Sequence, residues 1–310
     1  MLAGWAVYCI EQFYTCIQYM QDHDKLAEYR ARIDRLKRVV NEVGWDGDWY
    51  QRAMHDDGWM LGTRSNTYGK IWSNPNSFAI VSGIADEQRR ARIFTSFEKY
   101  LDHELGGYTF YPPFAEPQPR CGVISRFAPG TKENGSIFGH SSRWRFWAEC
   151  HGGRGDQAYQ LLHKMLPTTR HEADADRYRV EPYAACQFIY GPETDRPGEG
   201  SHSWATGTAC WTLLNIWEHL LGVRPEVAGL RIDPCLPSHW TRARMTRDFR
   251  GATYRIEIHK PTGICKGSVQ VELDGQPLAE NLIPPQGDAN VHEVKVVISR
   301  KTIGAFTEER

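Results

Sequence analysis

No run of apolar residues in this chain reaches the length needed to cross a bilayer, so no helical membrane span is expected. The first ten residues lack both the basic region and the small-residue cleavage site of a secretory signal, which points to the cytoplasm. No CxxC pair occurs, and the eight cysteines (9, 16, 121, 150, 186, 210, 235 and 265) are scattered. Neither a disulfide scaffold nor a Cys-based zinc site fits that spacing, and buried free thiols in a reducing compartment are expected. His151, His163 and His171 are not spaced as metal ligands, so no metal is expected. Charge of one sign is also missing: Lys and Arg total 37 against 38 Asp and Glu, a net charge of −1. Nothing therefore drives the chain onto nucleic acid or an anionic membrane. Internal repeats and low-complexity segments are absent.

What the chain does have is length, aromatics and two glycine-punctuated polar segments. Its 310 residues can hold one large domain or two ordinary ones. Eleven Trp, fourteen Tyr and twelve Phe supply core, or a stacking surface for sugars, and composition alone does not separate the two. Up to about residue 225 the pattern is helical. Trp5, Ile10, Phe13, Tyr14, Ile17 and Met20 mark one amphipathic helix, and Leu26 to Val43 give the next. Further helical segments carry Ile93–Leu101, Trp144–Trp147 and Tyr159–Met165. A last helix is expected over 204–221, with Trp211, Leu213, Leu214, Trp217 and Leu220 buried. Long loops at 104–139 and 189–203 interrupt them, and loops of that length commonly build a site. Helical hairpins presenting long loops suggest an (α/α) barrel, yet the helices are too few to close one. Either a homodimer interface completes it, or the chain is the C-terminal part of something longer.

From about residue 226 to 310 the period switches to two. Leu230–Pro234, Tyr254–His259, Ser268–Leu273 and Val291–Val297 read as strands, with Asp274-Gly275 as a hairpin turn. The expected fold is therefore mainly α over 1–225, followed by a small β-sandwich or jelly-roll-like domain.

The chemistry concentrates in Gly130-Thr131-Lys132-Glu133-Asn134-Gly135-Ser136-Ile137-Phe138-Gly139-His140. Lys132 and His140 could neutralise an oxyanion, while Glu133 and Asn134 could read sugar hydroxyls. A second segment, Ser203-Trp204-Ala205-Thr206-Gly207-Thr208, opens a helix with small hydroxylic residues, as an anion site prefers. Each also reads as a structural loop ending in a helix cap. Asp46 and Asp48, set among Trp45 and Trp49, are candidate acids; equally, Asp46 orders a loop while the tryptophans pack. Glu181, before Pro182, reads equally as a buried structural carboxylate.

Five ordered motifs together resemble the inverting cellobiose/chitobiose phosphorylase family. They are Trp45-Asp46-Gly47-Asp48-Trp49-Tyr50, Pro129 to Gly135, Val180-Glu181-Pro182-Tyr183, Ser203 to Thr208, and Leu230 to Pro237 followed by Phe249 to Tyr254. The resemblance implies an (α/α)6 barrel, here incomplete, with flanking β domains and inorganic phosphate as co-substrate and nucleophile. No cofactor is implied. By the same resemblance His140, Thr206 and Gly207 bind phosphate and Lys132 and Gln187 line the sugar pocket, with Glu133 and Glu181 as further candidate sugar contacts. Val123 and Phe127 replace a Glu and a Tyr of the cellobiose-specific pattern, which puts cellobiose in doubt. The family's general acid is the Asp of a Trp-Asn-Asp motif, and no Trp-Asn-Asp occurs in this sequence. The chain is therefore expected to lack its catalytic residue, with Asp46 as the fallback. The implied partners are phosphate and a disaccharide or oligosaccharide, split into a sugar 1-phosphate and a shortened sugar. A non-catalytic carbohydrate-binding module and an inverting glycoside hydrolase of the same barrel type are the rival readings.

Overall fold

A computed structural model describes residues 1–300; the 301–310 end of the expected C-terminal domain lies outside the described residues. The chain divides into two compact units, one of 1–152 with 157–215 and one of 153–156 with 216 onward.

The first unit is mainly helical and opens on a helical hairpin. Helix α1 (Leu2–Tyr19) turns through Gln21, at φ 56°, into α2 (His23–Val43), whose first turn is capped by the Asp22 carboxylate accepting from Lys25 N–H at 3.1 Å. Val7, Ile17 and Ile33 form the buried seam between them. Gly4 lets α1 lie directly on α3 (Ser73–Val81), because a Cβ there would stand 2.9 Å from the Phe78 Cβ. Every α3 residue but Asn74 is buried, so it has no solvent-facing stripe, and in sequence only its Phe78–Val81 end reads as an apolar segment. Helix α4 (Glu87–Tyr100), capped by Asp86, buries Ile93, Phe94 and Phe97. Helix α5 (Gly139–His151) packs against α3, and Trp5, Phe78, Trp147 and Trp211 join in one aromatic core.

Three shorter helices follow, α6 (Gly155–Met165), α7 (Pro167–Ala173) and α8 (Ala175–Tyr178), and then α9 (Thr208–Leu214). The expectation of a helix over 204–221 with an apolar buried face is corrected here. Trp204 sits at φ +69°, which an α-helix does not allow, so the helix begins only at Thr208. It then widens into a π-helical turn, Asn215–Leu220, with Leu221 N–H reaching the Ile216 carbonyl at 2.8 Å. Leu213, Leu214 and Trp217 are exposed at 45%, 40% and 38%, and Leu220 alone of the apolar residues in this stretch is fully buried.

The second unit is a β region. A three-stranded sheet joins Val223–Pro225, Leu230–Ile232 and Leu282–Ile283. A five-stranded sheet runs in the order Arg242–Phe249, Ala252–His259, Val291–Ser299, Ser268–Leu273, Gln276–Pro277. Asp274 and Gly275, at φ 49° and 79°, make the two-residue turn between the last two in that order. The final strand inserts at the centre and pairs parallel to Ala252–His259, so the sheet is mixed. Its inward side chains His292, Val294, Val296 and Ile298 are all buried, which is the reason it takes the position with a neighbour on both sides. The edge strand Arg242–Phe249 carries four charged side chains and has no buried residue, the composition that protects an open edge from further pairing.

The cysteines are free thiols: Cys150, Cys186 and Cys235 are buried, while Cys9, Cys16 and Cys210 are exposed. No helix among the described residues is long and apolar enough to cross a membrane.

Candidate functional site

A small sheet in the first unit brings the two polar segments together. Strand Cys186–Ile189 pairs antiparallel with Ile137–Phe138 on one side and with Gly200–Ser203 on the other. The two outer strands therefore run the same way, about 10 Å apart, and each leads into a helix, α5 or α9. Gly139 is required at this junction: a Cβ would collide with the Thr208 hydroxyl and stand 2.9 Å from the Gln187 carbonyl oxygen. One residue on, the His140 imidazole faces Gly207, where a Cβ would lie 3.0 Å from Nε2. The Thr206 and Thr208 hydroxyls bond each other at 2.8 Å, and the Thr208 N–H donates to Thr206 Oγ1 at 3.2 Å. His140, Gln187, Thr206 and Gly207 thus lie around one junction.

His140 is half-buried. Burial lowers its pKa, the Arg143 guanidinium lowers it further, and the Glu133 carboxylate opposes both. At neutral pH it is an uncharged imidazole, so it offers an anion an N–H donor rather than a full positive charge. Lys132, at φ 46°, holds its ammonium 5.0 Å from the centre of the Phe127 ring. Its carbonyl accepts the Ser136 hydroxyl, which closes the turn from behind. Asn134 is corrected from a sugar reader to a structural pin. It is fully buried, its Oδ1 accepts Phe114 N–H at 2.8 Å, and its amide donates to the Phe114 and Phe127 carbonyls at 2.9 and 2.7 Å.

Glu181 is anchored to the other segment, accepting the Trp204 indole N–H at 3.1 Å. Its carboxyl is held below the usual range first by its own backbone amide, then by Trp204 and Ser203. Trp204 and Tyr183 meet edge-to-face at 6.0 Å and are 68% and 73% exposed, two rings offered to solvent beside the Thr206-Gly207 turn. His202 at φ +55° and Trp204 at φ +69° are both strained positions for non-glycine residues.

Asp46 accepts the Arg64 N–H at 2.6 Å with the Arg64 guanidinium at 3.7 Å, and Asp48 has Arg64 and Arg92 both at 3.7 Å. Both carboxylates are therefore engaged by arginine contacts in this loop. The neighbouring Trp49 is buried and bonds the Gly62 carbonyl at 2.9 Å. A half-buried carboxyl was missed in sequence. Glu193 is half-buried, and burial raises its pKa; its Oε1 lies 3.5 Å from the Tyr108 hydroxyl. Its Oε2 stands 3.2 Å from where a Gly130 Cβ would be, at the start of the Lys132 turn. Its only sequence signal is its place in a long glycine-rich loop. Among the described residues no group of three His, Cys, Asp or Glu side chains is arranged to hold a metal.

Comparison with known proteins places the chain in a family. Solabiose phosphorylase of Paenibacillus borealis is 34% identical over 90% of this chain and 36% of its own length. An N,N'-diacetylchitobiose phosphorylase of Vibrio proteolyticus is 31% identical over 95% of this chain and 36% of its own. The chain thus spans about a third of the length of these curated relatives. A sialidase of known structure superposes with a TM-score of 0.50 at 13% identity, over 79% of this chain and 22% of that one, a likeness of fold alone. The model of the catalytic domain of the glycosyl hydrolase 94 superfamily matches residues 1–222, and the chain belongs to that family.

Proposed function

We propose that this chain carries the phosphate-binding side of a glycoside phosphorylase site, on helical hairpins that belong to an (α/α)6 barrel. The observation that carries the reading is the His140 imidazole facing the Gly207 backbone beside the paired Thr206 and Thr208 hydroxyls. In this reading one phosphate oxygen takes the His140 N–H and others take the Thr206 hydroxyl and the Gly207 amide. Lys132 and Glu133, with Gln187, line the sugar side, and the Trp204–Tyr183 pair offers a stacking rim held by Glu181. The phosphate attacks the anomeric carbon of a β-linked disaccharide and is glycosylated to a sugar 1-phosphate. A carboxylic acid on the opposite face protonates the leaving oxygen. One acid suffices, because phosphate replaces the water that a hydrolase would have to activate with a second carboxylate. No cofactor enters. The relatives' names, both disaccharide phosphorylases, support the reading.

Calorimetric titration of the 310-residue chain with inorganic phosphate tests it. Saturable binding is expected, weakened at least about tenfold in His140→Ala, a loss of about 1.4 kcal/mol. Unchanged binding in that variant, or none in the wild type, overturns the assignment. With Asp46 ion-paired and no Trp-Asn-Asp present, release of sugar 1-phosphate is expected to fall at least about 10²-fold short of ordinary enzymes. Normal turnover would instead make Glu193 or Asp46 the acid.

A further inference from the structure

We propose that Arg143 is a positioning residue for the phosphate loop: a buried, uncompensated guanidinium that ties α9 to α5 and sets a positive field behind His140, Thr206 and Gly207. The proposal rests on the phosphate reading above and adds a residue to it. Arg143 is 3% exposed and lies one helical turn beyond His140 on α5. Its Nε donates to Thr212 Oγ1 at 2.9 Å and its Nη1 to the Met165 sulfur at 3.2 Å. Both partners are neutral, and among the described residues no carboxylate pairs with it. Burial brings its pKa down to about 10, which leaves it a cation at neutral pH.

Arg145 shows what a structural arginine on the same helix looks like. It is equally buried, at 3%, and has Glu149 at 3.3 Å and Asp102 at 2.5 Å. A buried charge left without a counter-ion is costly, so the protein keeps Arg143 at a stability disadvantage. An anion held at the junction would supply the missing charge.

The connection to the junction is continuous. Thr212 accepts from Arg143 and donates its own hydroxyl proton to the Thr208 carbonyl at 2.7 Å. Thr208 then bonds Thr206 through their hydroxyls at 2.8 Å. On the other side, Asn215 donates to the Arg143 carbonyl at 2.8 Å and closes the link between the two helices. The field is legible at His140, whose protonated form Arg143 disfavours while Glu133 favours it.

Three variants of the 310-residue chain separate the charge from the tie: Arg143→Met, Arg143→Lys and Thr212→Val. Phosphate affinity is read by calorimetry and the His140 titration by NMR. Arg143→Met is expected to weaken phosphate roughly tenfold or more and to raise the His140 pKa. Arg143→Lys keeps the charge, and its His140 titration stays near wild type. Thr212→Val cuts the hydrogen-bond relay, so phosphate weakens while the His140 titration stays in place. Unchanged phosphate affinity and an unmoved His140 pKa in Arg143→Met would overturn the proposal. If that variant does not fold, wild-type affinity in Thr212→Val overturns it. If the wild-type chain binds no phosphate, the functional reading fails, while the His140 titration still decides whether Arg143 sets the field.

Discussion

Replacing Asn134 by alanine removes three hydrogen bonds from a fully buried side chain. The Phe114 N–H loses its acceptor, and the carbonyls of Phe114 and Phe127 lose their donors. Asn134 and Ser136 are fully buried and Phe114 is 2% exposed, so no solvent stands by to replace the two Phe114 bonds, while Phe127 is half-buried. An unsatisfied buried group costs about 1–3 kcal/mol, the N–H more than a carbonyl that loses one of two lone-pair partners. The total expected is about 3 kcal/mol, which for a unit of this size lowers the melting temperature by roughly 6–12 °C. Asn134→Asp is expected to be worse, because it sets a buried carboxylate against two carbonyl oxygens while the Phe114 N–H keeps its acceptor. Urea unfolding with a calorimetric scan measures both variants. An Asn134→Ala protein within about 0.5 kcal/mol of wild type, or an Asn134→Asp protein as stable as wild type, would refute the account. Lys132 and Glu133 lie between the bridged residues Thr131 and Asn134, so loss of phosphate affinity should accompany the loss of stability.

Gly207→Ala should leave stability within about 0.5 kcal/mol, since φ −74° suits alanine, yet weaken phosphate roughly tenfold or more by pressing a methyl on His140 Nε2; calorimetry that finds full affinity refutes it. Asp46→Asn should lower stability by about 1 kcal/mol through the weakened Arg64 contacts and leave phosphate affinity unchanged, and an affinity loss would return Asp46 to the site. In the second unit His292 bonds Asp274 at 2.8 Å and Asp288 at 3.0 Å through its two ring nitrogens, stacked on Tyr254. The bond to Asp274, then that to Asp288, raises its pKa, and both carboxyls are lowered chiefly by His292. The imidazolium contribution is therefore full below about pH 6.5 and lost as pH rises through the raised value, while the carboxylates contribute above about pH 3.9 and fade as pH falls. Melting of the second unit should be highest between those limits, and His292→Gln should remove the alkaline decline; an identical pH profile in the variant sinks the assignment.

Periodicity carried much of the fold, because a half-buried element repeats its pattern locally. The α1–α2 hairpin, the strands Ala252–His259, Ser268–Leu273 and Val291–Ser299, and the Asp274-Gly275 turn are all legible that way. It failed where burial is decided by distant neighbours. The charged edge strand Arg242–Phe249 has no apolar alternation to read. Leu213 and Leu214 have the composition of a core and lie exposed. The same division holds at the site. Sequence motifs singled out His140, Thr206 and Gly207 as residue types suited to an anion, and it was the family resemblance, not spacing, that set them on one phosphate. Their meeting depends on one middle strand, Cys186–Ile189, pairing with both flanking strands. Only the folded chain shows that Asn134 spends its amide on backbone, that Asp46 is held by Arg64, and that Arg143 has no counter-ion among the described residues beside a paired Arg145. Residue types limit which bonds a side chain can make. Which of those bonds form is decided by long-range packing, and that is where the charge of this site was set.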